Sequence, residues 1–191
     1  MVMNNNMNNI NIKKPVIVIG VCGSVAAVED VKLIRELRRQ NFDVYAVMSK
    51  NAKNIVGKDA VEWASEHNVV DKISGSVEHV YFCGVNGIAD LLLICPCTAN
   101  TISKIACGID DTSVTTFATT ALGSKKKIVI VPAMHISMYH NPFVAENVEK
   151  LKKQGVKFIE KFEENKVKFP DIDEIVRIVK EETLDSEQCK I

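Results

Sequence analysis

One Trp, three Tyr and seven Phe stand among 191 residues, together with only five Pro. There is no surplus of charge of either sign: 24 basic and 24 acidic side chains give a net charge of +0. That balance disfavours a nucleic-acid groove or an anionic membrane surface as the main partner, while local patches stay open. A long hydrophobic run is also missing. The most apolar segment, Leu91-Leu92-Leu93-Ile94-Cys95, is far too short to span a bilayer, so no membrane partner is expected. The chain starts with an Asn-rich polar stretch instead of a charged segment followed by an apolar one, so a secretory signal is not expected and a cytoplasmic protein is. Zinc-finger pairing is lacking as well. Cys95-Pro96-Cys97 has no second Cys or His pair at a matching distance, and no metal site is expected. The six Cys then read as reduced thiols, not a disulfide framework. Neither a Gly-x-Gly-x-x-Gly fingerprint nor a Walker loop occurs. Where a dinucleotide site would place an acid for the ribose, the chain has Met48-Ser49-Lys50.

What is present is an alternation of strand and helix patterns. Residues 1–13 are mostly Asn and Met and read as a disordered lead, residues 14–182 as one folded domain, and 183–191 as a tail. Val16-Ile17-Val18-Ile19, ending at Gly20, has the β-branched content of a buried strand. A helix from Ser24 to about Gln40 follows, with Val28, Val31, Ile34 and Leu37 three apart and Ser24 as N-cap. Residues 42–48 then read as a second strand. Helices are expected over 51–67, 99–106, 112–122, 142–154 and 171–182, and strands over 91–95, 127–131 and 156–159. This order predicts an α/β protein: a single doubly wound parallel sheet, Rossmann-like or flavodoxin-like, with helices on both faces. Ligands in such sheets sit beyond the carboxyl ends of the strands.

Those ends carry unusual residues. Gly20-Val21-Cys22-Gly23-Ser24 is a glycine turn opening a helix, which suits an approaching phosphate or a tight turn with nothing bound. Pro96-Cys97-Thr98-Ala99-Asn100-Thr101 packs hydroxyls and an amide at a helix start, with Lys104 one turn later than Asn100. These groups can cap the helix or bind a phosphate. Gly108 to Thr116 is dense in hydrogen-bonding groups. Pro132-Ala133-Met134-His135-Ile136-Ser137-Met138-Tyr139-His140 puts two His and a Tyr directly after a strand, which favours a site over core packing of the Met residues. His79 precedes the apolar strand and is open to a structural or a functional role.

Taken together, these segments resemble the flavin-dependent cysteine decarboxylases, closest to the phosphopantothenoylcysteine decarboxylases. The similarity runs from about Lys14 to Val179, carried by Gly20 to Ala27, by Pro96 to Thr101 in place of Pro-Ala-Ser-Ala-Asn-Thr, and by Pro132-Ala133-Met134-His135 with Met138 in place of Pro-x-Met-Asn-x-x-Met. The resemblance implies FMN, bound without a covalent link between subunits of a homo-oligomer, a trimer or a dodecamer of trimers. It puts Gly23, Ser24 and Ser49 on the phosphate side and Thr98, Asn100 and Thr101 at the phosphate or ribityl chain. Thr115, Ala133 and Met134 would line the isoalloxazine. It implies His79 as an acid/base or orienting group, and decarboxylation of a phosphopantothenoylcysteine-like substrate after the flavin takes two electrons from the thiol carbon.

Two departures fall on substrate-handling positions. His135 stands where the family has an Asn for the substrate carboxylate, and residues 162–168 hold no Cys where a flap Cys is usual. Room therefore remains for another flavoprotein of this fold, an oxidoreductase or a flavin prenyltransferase, or for a non-catalytic flavin-binding subunit.

Overall fold

The computed structural model describes residues 14–188; the expected lead and Cys189 lie outside the described residues. Strand β1 (Val16–Val21) and strand β3 (Leu91–Cys97) are buried along their whole length. Their side chains alternate between two apolar layers. Ile17, Ile19, Val21, Leu91, Leu93 and Cys95 point into one, and Val18, Leu92, Ile94 and Cys97 into the other. A parallel strand covered on both faces requires this continuous apolar content. With β2 (Asp43–Met48), β4 (Lys127–Pro132) and the short β6 (Lys157–Phe158), they form a five-stranded parallel sheet in the order β2-β1-β3-β4-β6.

One layer is closed by α1 (Asp30–Arg39), α2 (Lys58–Ser65) and α8 (Ile172–Gln188), through Leu33, Ile34, Leu37, Val61, Ala64 and Ile175. The other is closed by α3 (Glu78–Cys83), α4 (Ala99–Ala106), α5 (Ser113–Gly123) and α7 (Pro142–Lys153), through Phe82, Ile102, Ile105, Phe117, Val148 and Leu151. The doubly wound sheet expected from the alternation is the one observed.

Several boundaries differ from the sequence reading. The first helix opens as a 3-10 segment, Val25–Glu29, and its buried stripe is Asp30, Leu33, Ile34 and Leu37. Val28 is exposed. The helix expected over 51–67 breaks into a 3-10 turn at Ala52–Asn54 and α2, with Gly57 capping the second piece. The final helix continues to Gln188, so a tail beginning at 183 would cut through it. A small antiparallel sheet was absent from the sequence reading: β5 (Met134–His135), β8 (Lys166–Lys168) and β7 (Lys161–Glu163) pair in the order β5-β8-β7. Strands of two or three residues are too short for a period-2 pattern to reveal them. The one-turn helix α6 (Ile136–Tyr139) joins β5 to α7.

Candidate functional site

The carboxyl ends of β1, β2, β3 and β4 are tied together by hydrogen bonds between the segments the sequence singled out. The Cys22 amide donates to Pro96 O at 3.3 Å, and the Ala133 amide to Cys97 O at 3.0 Å. The Ser24 hydroxyl donates to Ala133 O at 3.2 Å. The Ser49 amide donates to Val21 O at 3.0 Å, while its Oγ accepts from the Ala52 amide at 3.3 Å. Gly23 makes this closure possible: a Cβ there would stand 2.6 Å from Asn51 Cβ, so a side chain would push residues 49–51 off the turn. The three motifs are thus one structural unit.

At the head of α4, Thr98 has extended backbone, and its Oγ1 accepts from the Thr101 amide at 3.3 Å. Thr101 is buried beneath it, with its hydroxyl 3.2 Å from Thr98 Oγ1. The amides of Ala99 and Asn100, the first two of the helix, have no intrahelical acceptor and lie at the positive end of its dipole. The Asn100 side chain is exposed beside them. Such a helix end suits a phosphate. Lys104 is not available to help: its ammonium is paired with Asp111 at 2.6 Å.

Next to this unit lies a cleft of about 500 Å³. Ser24, Val25, Val28 and Glu29 form one wall; Ala133, Met134 and His135 with β8 and Phe169 form the other. The wall exists because Met134 pairs with Val167 and His135 with Lys166 across β5 and β8. His135 also caps α6. Its Nδ1 accepts from the Ser137 amide at 3.2 Å and lies 2.8 Å from Ser137 Oγ. A backbone N–H can only donate, so Nδ1 is an acceptor and the ring proton of the neutral imidazole sits on Nε2. His135 therefore offers an N–H donor outward, the role an Asn amide would have filled.

Two expected site residues are placed elsewhere. Thr115 is fully buried, and its hydroxyl is used in the capping box of α5. It accepts from the Asp111 and Thr112 amides at 3.2 and 2.9 Å and donates to Thr112 O at 3.0 Å. Thr115 is expected to line an isoalloxazine; within this chain its hydroxyl is turned into the cap of α5. His79 falls in the first turn of α3, which packs against α5, and is not part of the cleft wall. Its Nδ1 is buried without a hydrogen-bond partner. The turn before it is strained, since Val77, a β-branched residue, is held at φ 47°. Glu78 fixes that turn by accepting from the Ser74 amide at 3.0 Å and from its hydroxyl.

Sequence reasoning missed two features. Lys166 and Lys168 reach the cleft through the unforeseen hairpin; the alternation Lys166-Val167-Lys168-Phe169 was the available signal. Asp30 lies fully buried beside the Cys22 and Cys95 thiols, with no hydrogen bond to its carboxyl oxygens beyond a weak one from Cys95. Burial pushes its carboxyl well above the usual carboxylate range, and burial likewise raises the Cys95 and Cys97 thiols. The signal was the spacing 30, 33, 34, 37, which puts an acid on the apolar stripe of α1. Among the described residues, no group of three or more His, Cys, Asp or Glu could hold a metal ion, and no helix is long and apolar enough to cross a membrane.

Comparison with known proteins agrees with this layout. A coenzyme A biosynthesis bifunctional protein CoaBC of Thermococcus kodakarensis is 57% identical over 162 residues, 84% of this chain and 40% of that protein. The CoaBC protein of Methanocaldococcus jannaschii is 39% identical over 165 residues, 85% of this chain and 40% of that protein. The chain thus spans about two fifths of the length of these relatives. Among solved structures, the FMN-dependent cysteine decarboxylase SpaF superimposes with a TM-score of 0.75 at 28% identity, over 88% of this chain and 97% of that one. The Flavoprotein family model matches residues 5–184, and with the three motifs joined at one end of a doubly wound sheet, the chain belongs to the Flavoprotein family.

Proposed function

We propose that this chain binds FMN and decarboxylates 4'-phosphopantothenoylcysteine to 4'-phosphopantetheine, a carboxy-lyase step of coenzyme A biosynthesis. The observation that carries this reading is the hydrogen-bonded union of the three motifs beside the cleft of about 500 Å³. The residues fit a flavin mononucleotide. Gly23, Ser24, Ser49, Thr98, Asn100 and Thr101, with the free amides at the head of α4, suit its phosphate and polyol, and Ala133 and Met134 suit the edge of its ring. The names of the relatives and of SpaF support the same choice of reaction and cofactor. When bound, FMN would supply a two-electron acceptor for the thiol carbon, which lets the carboxylate leave as CO2, and would return the two electrons to the resulting enethiol to give the saturated thiol.

The residues of the chain bind and orient. His135 donates from Nε2 to a substrate carboxylate oxygen, with its ring direction fixed by the Ser137 amide. Val25, Val28 and Met134 supply an apolar lining to the cleft, which a second copy packed over the exposed Val25 and Val28 would close against water. His79 acts as the acid/base or orienting group. Its position outside this chain's own cleft fits a site completed by a second copy, as do the exposed side chains of Val25, Met138 and Phe143. We therefore assign a homo-oligomer, a trimer or a dodecamer of trimers, in the cytoplasm, with a flavin domain that includes the whole of α8 to Gln188.

The deciding experiment is CO2 release from 4'-phosphopantothenoylcysteine by the FMN-loaded protein. Bound FMN with neither CO2 nor an enethiol product would refute the reading. Sedimentation showing a monomer with FMN bound would refute the shared site.

A further inference from the structure

Beneath the glycine turn lie three thiols that the proposed reaction leaves without a role. Cys22 directly follows β1, and Cys95 and Cys97 lie in β3. These strands are parallel neighbours, in register from Ile17 with Leu91 to Gly20 with Ile94, so their backbones run about 5 Å apart. The Cys22 amide donates to Pro96 O at 3.3 Å, which carries the pairing past the end of β1 and sets Cys22 beside Cys97. The side chains of these two point into the same apolar layer, whereas Cys95 points into the other, next to Asp30. The Cys22 and Cys97 thiols hydrogen-bond to each other, and both are buried. Adjacent strands, one face and touching thiols are what a disulfide with a Cα spacing of about 5–6 Å requires. The two thiols are not equivalent. A hydrogen bond from Cys97, helped by Thr101 and the Thr98 amide, holds Cys22 below the usual thiol range despite its burial, while burial pushes Cys97 up.

We propose that Cys22 and Cys97 are a redox modification site: a small peroxide closes the dithiol to a disulfide, and the closed form holds FMN less tightly. The second half rests on the cofactor reading above; the first does not. The Cys22 thiolate attacks one peroxide oxygen, the O–O bond breaks, and hydroxide leaves a sulfenic acid behind. Cys97 then attacks that sulfur, and water leaves with the Cys97 proton. Two thiols and one hydrogen peroxide give one disulfide and two waters, and an added dithiol reverses the change. The effect on FMN follows from place. Cys22 directly precedes Gly23 and Ser24, and Cys97 directly precedes Thr98, the residues assigned above to the phosphate and polyol. Bonding brings the sulfurs from contact to about 2 Å apart, which draws the glycine turn towards the head of α4. It also takes from Cys22 its hydrogen bonds with Thr98 and Thr101. By linkage, bound FMN disfavours the disulfide by the same factor. Peroxide reaches the buried pair through local opening of the turn, which a bound cofactor holds closed.

The test treats the FMN-free and the FMN-loaded protein with hydrogen peroxide, blocks the remaining thiols with N-ethylmaleimide in denaturant, and maps the peptides by mass spectrometry. A Cys22–Cys97 link should form in the FMN-free protein, disappear with dithiothreitol, and form more slowly when FMN is bound. The Kd for FMN, read from quenching of flavin fluorescence, should rise about fivefold or more on oxidation, as for coupling between two sites. C97A should show one FMN affinity before and after peroxide, while C95A should respond as the parent does. Oxidation confined to the exposed Cys107, with Cys22 and Cys97 both still alkylated, overturns the site. A link from Cys22 to Cys95 overturns it as well. A Cys22–Cys97 link that leaves the FMN affinity unchanged overturns the coupling. If neither form binds FMN, the cofactor reading falls and the coupling with it, and the map of the FMN-free protein still decides the disulfide.

Discussion

Replacing Asp30 with Asn should stabilise the protein increasingly as the pH rises. Asp30 is fully buried, and its carboxyl oxygens have no hydrogen-bond partner beyond the weakly donating Cys95 thiol. Burial raises its pKa well above the ordinary value of 3.8. A carboxyl raised in the folded state keeps its proton there after the unfolded chain has lost it. The native state then binds more protons than the unfolded state, and stability falls with rising pH. The full contribution is present below the unfolded pKa and is lost as the pH rises through the folded one. Each unit in that window is worth about 1.4 kcal/mol, so pH 5 to pH 7 is worth up to about 3 kcal/mol. Asn keeps the shape and cannot ionise, so the variant should escape this loss. For a chain of this size that is a Tm gain of up to roughly 6–12 °C at pH 7 relative to pH 5. Thermal unfolding of the FMN-loaded parent and variant, followed by circular dichroism at pH 5, 6, 7 and 8, measures it. Other titrating groups cancel in the difference between the two. Parallel curves at every pH would refute the reasoning, as would a variant that loses ground as the pH rises.

Gly23→Ala should lower the flavin-to-protein absorbance ratio of the purified protein, because the new Cβ meets Asn51 Cβ at 2.6 Å and displaces the loop carrying Ser49; full flavin occupancy would contradict the closure described. Thr115→Ala should cost about 1–2 kcal/mol by removing the capping box of α5, seen as a lower Tm, while the flavin absorption maxima stay in place. A shifted flavin spectrum with unchanged Tm would return Thr115 to the cofactor. His79→Asn should retain FMN yet lose turnover, and full activity in that variant would leave His79 as a structural residue of α3.

Much of the framework is legible from local patterns. The runs Val16–Val21 and Leu91–Cys97 are apolar at every position in sequence and buried at every position in the fold, as covered parallel strands must be. Ser24 and Thr98 are recognisable as caps from residue type and place, and both make the bonds expected of them. Period-3.6 spacing found α1 with Ile34 and Leu37 of its buried stripe but began that stripe at the exposed Val28, because an acid at Asp30 hid where it starts.

Local signals end where distant segments meet. Residues 134–135 and 166–168 form a wall only because α7 and the turn after β6 return the chain to β5, and strands this short carry no period of their own. Thr115 illustrates the same limit from the other side. Its position after a turn rich in hydroxyls suits a ligand or a cap equally well, and only the direction of α5 shows that its hydroxyl is used in the cap. The burial of Asp30 beneath the glycine turn is likewise set by the packing of α1 on β1 and β3 and by no property of its neighbours in sequence. Composition and periodicity determined the sheet, the helices and the three motifs, since these follow from each segment's own backbone and apolar pattern. Which motif residues face the cleft, and which thiols meet beneath the glycine turn, were decided by tertiary structure alone, because hydrogen bonds and charges act between side chains that only the folded chain brings together.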